Sequence, residues 1–95
     1  MSDSKNPIMY GAMWCGDTRR ARKWFDEKQV VYDWVDVDKV PEADQIVKQI
    51  NNGNRSVPTI VFADGSHLTE PSVLKLEEHA KHLGLLAQGA GSQAS

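Results

Sequence analysis

PIMYGAMWCGDTRRARKWFDEK, residues 7–28, changes hydrophobic period halfway along. Its first part, residues 7–13, is a short apolar run bounded by polar residues, which fits a buried strand better than a short helix. From Asp17 onward Ala21, Trp24, Phe25 and Lys28 recur at helical spacing, with the arginines largely elsewhere on the wheel. A strand therefore passes into an amphipathic helix, and Cys15 stands at the junction.

The same reading extends along the chain. VVYDWVDV, residues 30–37, reads as a second strand, with Tyr32 and Trp34 facing one way and Val31, Val35 and Val37 the other. Pro41 opens a second helix whose stripe is Ala43, Ile46, Val47 and Ile50, ending near Asn52. Residues 59–62 are β-rich, ADGS at 63–66 is a hairpin turn, and His67 and Leu68 pair back. A last helix carries Val73, Leu76, Ala80 and Leu83 on one face, begins at a Pro–Ser cap signal and stops at Gly84. The order is a βαβ unit with a parallel pair, then a ββα unit with an antiparallel pair. Residues 1–86 are expected to form one domain and the small, polar stretch 87–95 a disordered tail.

Ninety-five residues, 40% hydrophobic and 25% charged, suit one small soluble domain. A net charge of −2 gives no strong field toward nucleic acid or an anionic membrane, and no segment has the length of a membrane span. A cytoplasmic protein without nucleic-acid or membrane partners is the expectation, and a monomer is expected too. The single cysteine excludes an internal disulfide and a clustered-cysteine metal site within one chain.

That leaves a free thiol, and two readings of it. Cys15 is either a packed apolar residue, as most free cysteines are, or an exposed nucleophile. The unpaired N–H groups and dipole of the following helix favour a thiolate, Arg19 adds positive charge, and Gly16–Asp17 keeps the turn small and polar, which tilts the balance toward exposure. Thr18 is either a hydrogen-bond donor to that thiolate or an ordinary first-turn residue. Trp14 is a substrate platform or one edge of the core. Pro58 suits the first position of a strand; were its peptide bond cis, the Val57 backbone would be free to pair with an extended ligand. NGNR at 52–55 is a polar loop whose Arg55 can also meet a ligand carboxylate. His79 and His82 read as solvated helix positions ahead of metal ligands.

Taken together, MYGAMWCGDTRRA, VDVDKVPEA, NNGNRSVPTIVFADGS and LTEPSVLKL resemble the glutaredoxin family of the thioredoxin superfamily, and most of all the mycoredoxin-like glutaredoxins. The resemblance covers residues 7–83. It implies an α/β thioredoxin fold with a four-stranded mixed sheet flanked by three helices, Cys15 as exposed nucleophile, and a cis Pro58 facing it. Trp14, Gly16, Asp17, Thr18 and Arg19 become the residues that set the thiol's surroundings. Arg55, Val57, Pro58, Thr59, Asp64 and Ser66 become the candidates for binding a low-molecular-weight thiol, with the Val57 backbone hydrogen-bonded to it.

The implied activity is thiol–disulfide oxidoreduction, with a low-molecular-weight thiol as cosubstrate and S-thiolated or disulfide-bonded client proteins as partners. SHLTEPS, where glutathione-using members carry a Gly-Gly pair and an acid, favours mycothiol over glutathione. Thr18 departs from the pattern, since mycoredoxins carry a second cysteine or a small residue there. A monothiol route through Cys15 survives that change. Two alternatives come from other classes. One is a monothiol protein bridging an iron–sulfur cluster between two chains, disfavoured by Asp17 and Trp14 and the lack of an upstream Lys; the other is a redox-inactive binding module on the same fold. No metal is expected on the oxidoreductase reading.

Overall fold

The four strands β1 (Ile8–Gly11), β2 (Asp33–Asp36), β3 (Thr59–Val61) and β4 (His67–Thr69) join in the order β2-β1-β3-β4, in a computed structural model that describes residues 6–86. β1 runs parallel to β2 and antiparallel to β3, which pairs antiparallel with β4. Three helices, α1 (Gly16–Glu27), α2 (Pro41–Ile50) and α3 (Val73–Leu83), complete the α/β thioredoxin-like architecture that the resemblance implied. The expected tail at 87–95 lies outside the described residues. Among the described residues, no helix is long and apolar enough to cross a membrane.

Alternation along the strands divides the core between two faces. Register places Trp34, Met9, Ile60 and Leu68 in one row across the sheet. These face a cluster that α1 and α3 complete with Ala21, Trp24, Phe25, Leu76 and Ala80. Tyr10, Val35 and Val61 face the opposite way, toward Ala43 and Val47 of α2. Phe25 is 1% exposed and makes edge contacts with Trp24 and Tyr32, so truncating it to Ala would cost about 3–5 kcal/mol.

Three expectations change in detail. The first strand ends at Gly11, two residues early, because the Cys15 N–H turns back to the Ala12 carbonyl at 3.0 Å. The second strand starts at Asp33, not Val30: the Val30 N–H bonds the Phe25 carbonyl at 2.9 Å, and Gln29 takes a left-handed φ of 59° to close α1. On α2, Ala43 and Val47 are buried, whereas Ile46 sits at the edge of the stripe and is exposed. The last helix matches its cap signals closely, with Ser72 Oγ accepting the Lys75 N–H at its start and Gly84 ending it at φ 72°, but of its expected stripe Val73 is exposed at the first turn while Leu76 and Ala80 are buried.

Candidate functional site

Cys15 is the N-cap of α1 and is half-buried, so neither of its two sequence readings holds in full. Its side chain packs at the margin of the α2-side core, and its Sγ–H donates to the Val57 carbonyl oxygen at 3.7 Å. Among the described residues no side chain caps this helix end, whose first N–H groups and dipole lie beside the sulfur.

Thr18 does not face the thiol. One turn into α1 its side chain points inward onto β1, is fully buried, and accepts the Ala12 N–H at 3.4 Å. Among the described residues no hydrogen bond joins it to Cys15. Gly11 makes this seat possible: a Cβ there would stand 2.7 Å from Thr18 Cγ2 and 3.1 Å from the Trp34 ring. The junction can be this close because residue 11 lacks a side chain.

Opposite the thiol, the Val57–Pro58 peptide is cis, and both residues are buried. Thr59 is buried at 0% exposure with its hydroxyl spent inside the protein: it donates to the Ser56 carbonyl at 2.7 Å and accepts from Asn51 Nδ2 at 3.0 Å. The ligand-binding role expected of Thr59 therefore gives way to bracing the loop, since its position on the inner strand turns it toward α2. Asn51 also accepts from Thr69 Oγ1 at 2.6 Å and donates to the Val47 carbonyl at 2.9 Å, tying α2 to β3 and β4. Glu70, at a left-handed φ of 49°, donates its N–H to the Pro58 carbonyl at 2.8 Å.

Trp14 is 65% exposed, so it is not an edge of the core and lies at the surface next to the cysteine. Its indole N–H donates to Asp38 Oδ2 at 2.7 Å, and Asp38 Oδ1 takes Nη2 of Arg55 at 2.5 Å. Arg55 Nε also meets Asp44, which pairs with Lys48 at 3.1 Å. The Arg55 guanidinium and then the Trp14 N–H hold the Asp38 carboxyl below its ordinary range, and Arg55 and then Lys48 do the same for Asp44. Those carboxylates in turn raise Arg55. On the other flank Arg19 donates to the Met13 carbonyl at 2.7 Å, bracing the turn around the sulfur, and Asp17 pairs with Arg20 at 2.6 Å within α1. Gly16 opens the helix at the surface.

Asp64 and Ser66 do not join this group. β3 runs antiparallel to β1, so the turn after it lies beside the start of β1, at the far end of the sheet from Cys15. There Asp64 Oδ1 accepts both the backbone N–H and the hydroxyl of Ser66, and Ser66 Oγ meets His79 Nε2 at 2.8 Å. Their expected thiol-binding role is replaced by a brace between the hairpin and α3. His79 packs on Phe62, and among the described residues no group of three metal-ligating side chains gathers.

Gly11, Asp38, Asn51 and Glu70 are further residues that the fold brings to the site. Asp38 had a signal: it follows a strand parallel to β1, so its loop must emerge beside the loop carrying Trp14 and Cys15. Glu70 sat within the LTEPS stretch, and the Asn at the close of α2 read only as a helix stop.

The sequence profile described as Glutaredoxin matches residues 8–68. Mycoredoxin 1 of Corynebacterium glutamicum is 42% identical over 66 residues, covering 70% of this chain and 81% of that protein. Among solved structures, a glutaredoxin from Brucella melitensis superposes with a TM-score of 0.66 at 21% identity, covering 93% of this chain and 97% of the other. One from Archaeoglobus fulgidus gives 0.64 at 24% identity, covering 78% and 84%.

Proposed function

This chain belongs to the glutaredoxin family and is a mycoredoxin-like thiol oxidoreductase homologue, and from that premise we propose that it reduces mixed disulfides between proteins and a small thiol by a monothiol route. The observation that carries the reading is the placing of the single sulfur: Cys15 faces the Val57 carbonyl while the position three residues on is a buried threonine. The Cys15 thiolate attacks the small-thiol sulfur of the client mixed disulfide. A new S–S bond forms on Cys15, the old one breaks, and the client leaves as a thiolate that takes a proton from water. A second small thiol, as thiolate, then attacks the bound small-thiol sulfur, giving the oxidised small-thiol dimer and regenerating the Cys15 thiolate. The mixed disulfide and one free small thiol thus give the client thiol and one small-thiol disulfide, with Cys15 regenerated.

Mycothiol fits the surroundings better than glutathione does. It is uncharged and rich in hydroxyls, suited to lie on the exposed Trp14 ring and to donate to Asp38 or Glu70. Glutathione brings carboxylates to a guanidinium that two carboxylates already share. A free thiol without a disulfide partner also suits a reducing compartment, the cytoplasm.

The test is a purified client carrying either thiol as a mixed disulfide, followed by mass analysis of Cys15. Transfer of mycothiol to Cys15 with release of reduced client supports the reading. A Cys15 that takes up neither thiol sinks it.

A further inference from the structure

Two bridges cross the same gap. Cys15 reaches Val57 through its sulfur, and one residue earlier Trp14 reaches Arg55, two residues before Val57, through Asp38. The second bridge consists of a single carboxylate with its two oxygens divided: Oδ2 holds the indole at 2.7 Å and Oδ1 holds the guanidinium at 2.5 Å. The backbone fixes where that carboxylate stands. The Val37 N–H bonds the Gly11 carbonyl at 3.0 Å, and the Asp38 N–H turns back to Asp36 Oδ1 at 2.9 Å, so residue 38 emerges beside the loop of residues 12–14.

We propose that Asp38 is the specificity-determining residue of this site: by fastening Trp14 and neutralising Arg55 at once, it suits the site to an uncharged thiol and turns away a carboxylate-bearing one. The inference rests on the small-thiol reductase reading above and adds to it the residue that chooses the thiol. Without the Asp38 charge, Arg55 keeps only Asp44 as a full counter-ion and has a donor free for a carboxylate on the ligand. Without any acceptor at 38, the Trp14 ring also loses its tether and ceases to be a fixed platform.

Asp38→Asn removes the charge and keeps one acceptor oxygen; Asp38→Ala removes both. Asp38 lies in an exposed turn, so either variant should fold. Steady-state reduction of the two mixed disulfides is measured for the intact protein and both variants, with the indole N–H resonances recorded and Trp14→Phe used to assign the Trp14 signal. The expected result is a KM for the glutathione mixed disulfide at least about threefold lower in Asp38→Asn, with a smaller change for the mycothiol one and kcat for both held within about twofold. In Asp38→Ala the Trp14 resonance shifts and the mycothiol KM rises. An unchanged ratio of the two KM values in Asp38→Asn, in a protein that itself prefers mycothiol, overturns the proposal. A parent protein without a preference for mycothiol also overturns the proposal, whereas one whose Cys15 takes up neither thiol fails at the reductase reading beneath it, and the two failures are told apart before any variant is made.

Discussion

The sulfur of Cys15 and the carbonyl oxygen of Val57 meet at 3.7 Å across 42 positions of sequence. A disulfide entering here has one sulfur bonded to Cys15 and its flanking backbone beside an already ordered edge. Cys15→Ser keeps the size and a donor but not the nucleophile. It should lower mixed-disulfide reduction by at least about a thousandfold while leaving the circular dichroism spectrum and Tm close to those of the parent. Residual turnover above that level would move the chemistry away from this sulfur.

Thr18→Cys tests the division between one-thiol and two-thiol chemistry. Thr18 is fully buried one helical turn from Cys15, and a cysteine has nearly its volume. The parent, loaded with a small thiol on Cys15, should keep that adduct until more thiol is added. The variant should shed it without added thiol as a Cys15–residue 18 disulfide forms, read as the loss of one whole small-thiol molecule to a product two hydrogens lighter than the reduced variant. Equal adduct lifetimes would show that the buried position cannot reach the sulfur.

Gly11→Ala should destabilise by about 1–3 kcal/mol, because the new methyl would stand 2.7 Å from Thr18 Cγ2 in a packed junction. Adding Thr18→Ser removes that Cγ2 and should recover part of the loss. Denaturant midpoints of the two single variants and the double variant give the coupling, and additive effects would contradict the proposed contact.

Acid should release the Trp14 tether late. Asp38 and Asp44 have folded values below the ordinary 3.8, so what they contribute is fully present above that value and lost only as pH falls through the lower folded ones. The Trp14 indole N–H resonance should therefore hold its position down through pH 3.8 and move only below it. In Asp38→Asn the acidic step in that resonance should shrink. A Trp14 signal that titrates well above 3.8 would mean that Asp38 is not its partner.

Much of this fold was legible because local signals agreed with one another. The strand-to-helix change at Cys15, the Pro41 start, the ADGS turn and the Ser72 and Gly84 caps each matched their geometry. What chain order could not show was which end of an antiparallel strand meets the thiol. Asp64 and Ser66 lie close in sequence to Pro58, yet three residues of β3 carry them to the far end of the sheet. Direction of a side chain was equally hidden. Thr18 follows the thiol closely in sequence and Thr59 follows the cis proline, and both turn inward because an α-helical turn and a strand alternation place them there. Asp38 was legible only in part: the parallel strand before it sets its loop beside Trp14, but its two partners come from distant segments and only their meeting reveals its importance.

The two faces of the sheet are unequally anchored. α1 and α3 share a cluster that includes Trp24, Phe25 and Leu76, whereas α2 contributes Ala43 and Val47 and then relies on Asn51 and the Asp44–Arg55 pair. Deuterium should therefore enter the α2 amides through a partial opening, well before those of β1 and β3, and similar rates in all three would contradict this. Asn51 and Asp44 sit on or beside α2 and hold Thr59 and Arg55, so each such opening would slacken the proline loop while the central strands stay paired. The protein could then admit a bulky client by briefly peeling one helix, with the nucleophile left in its seat on α1.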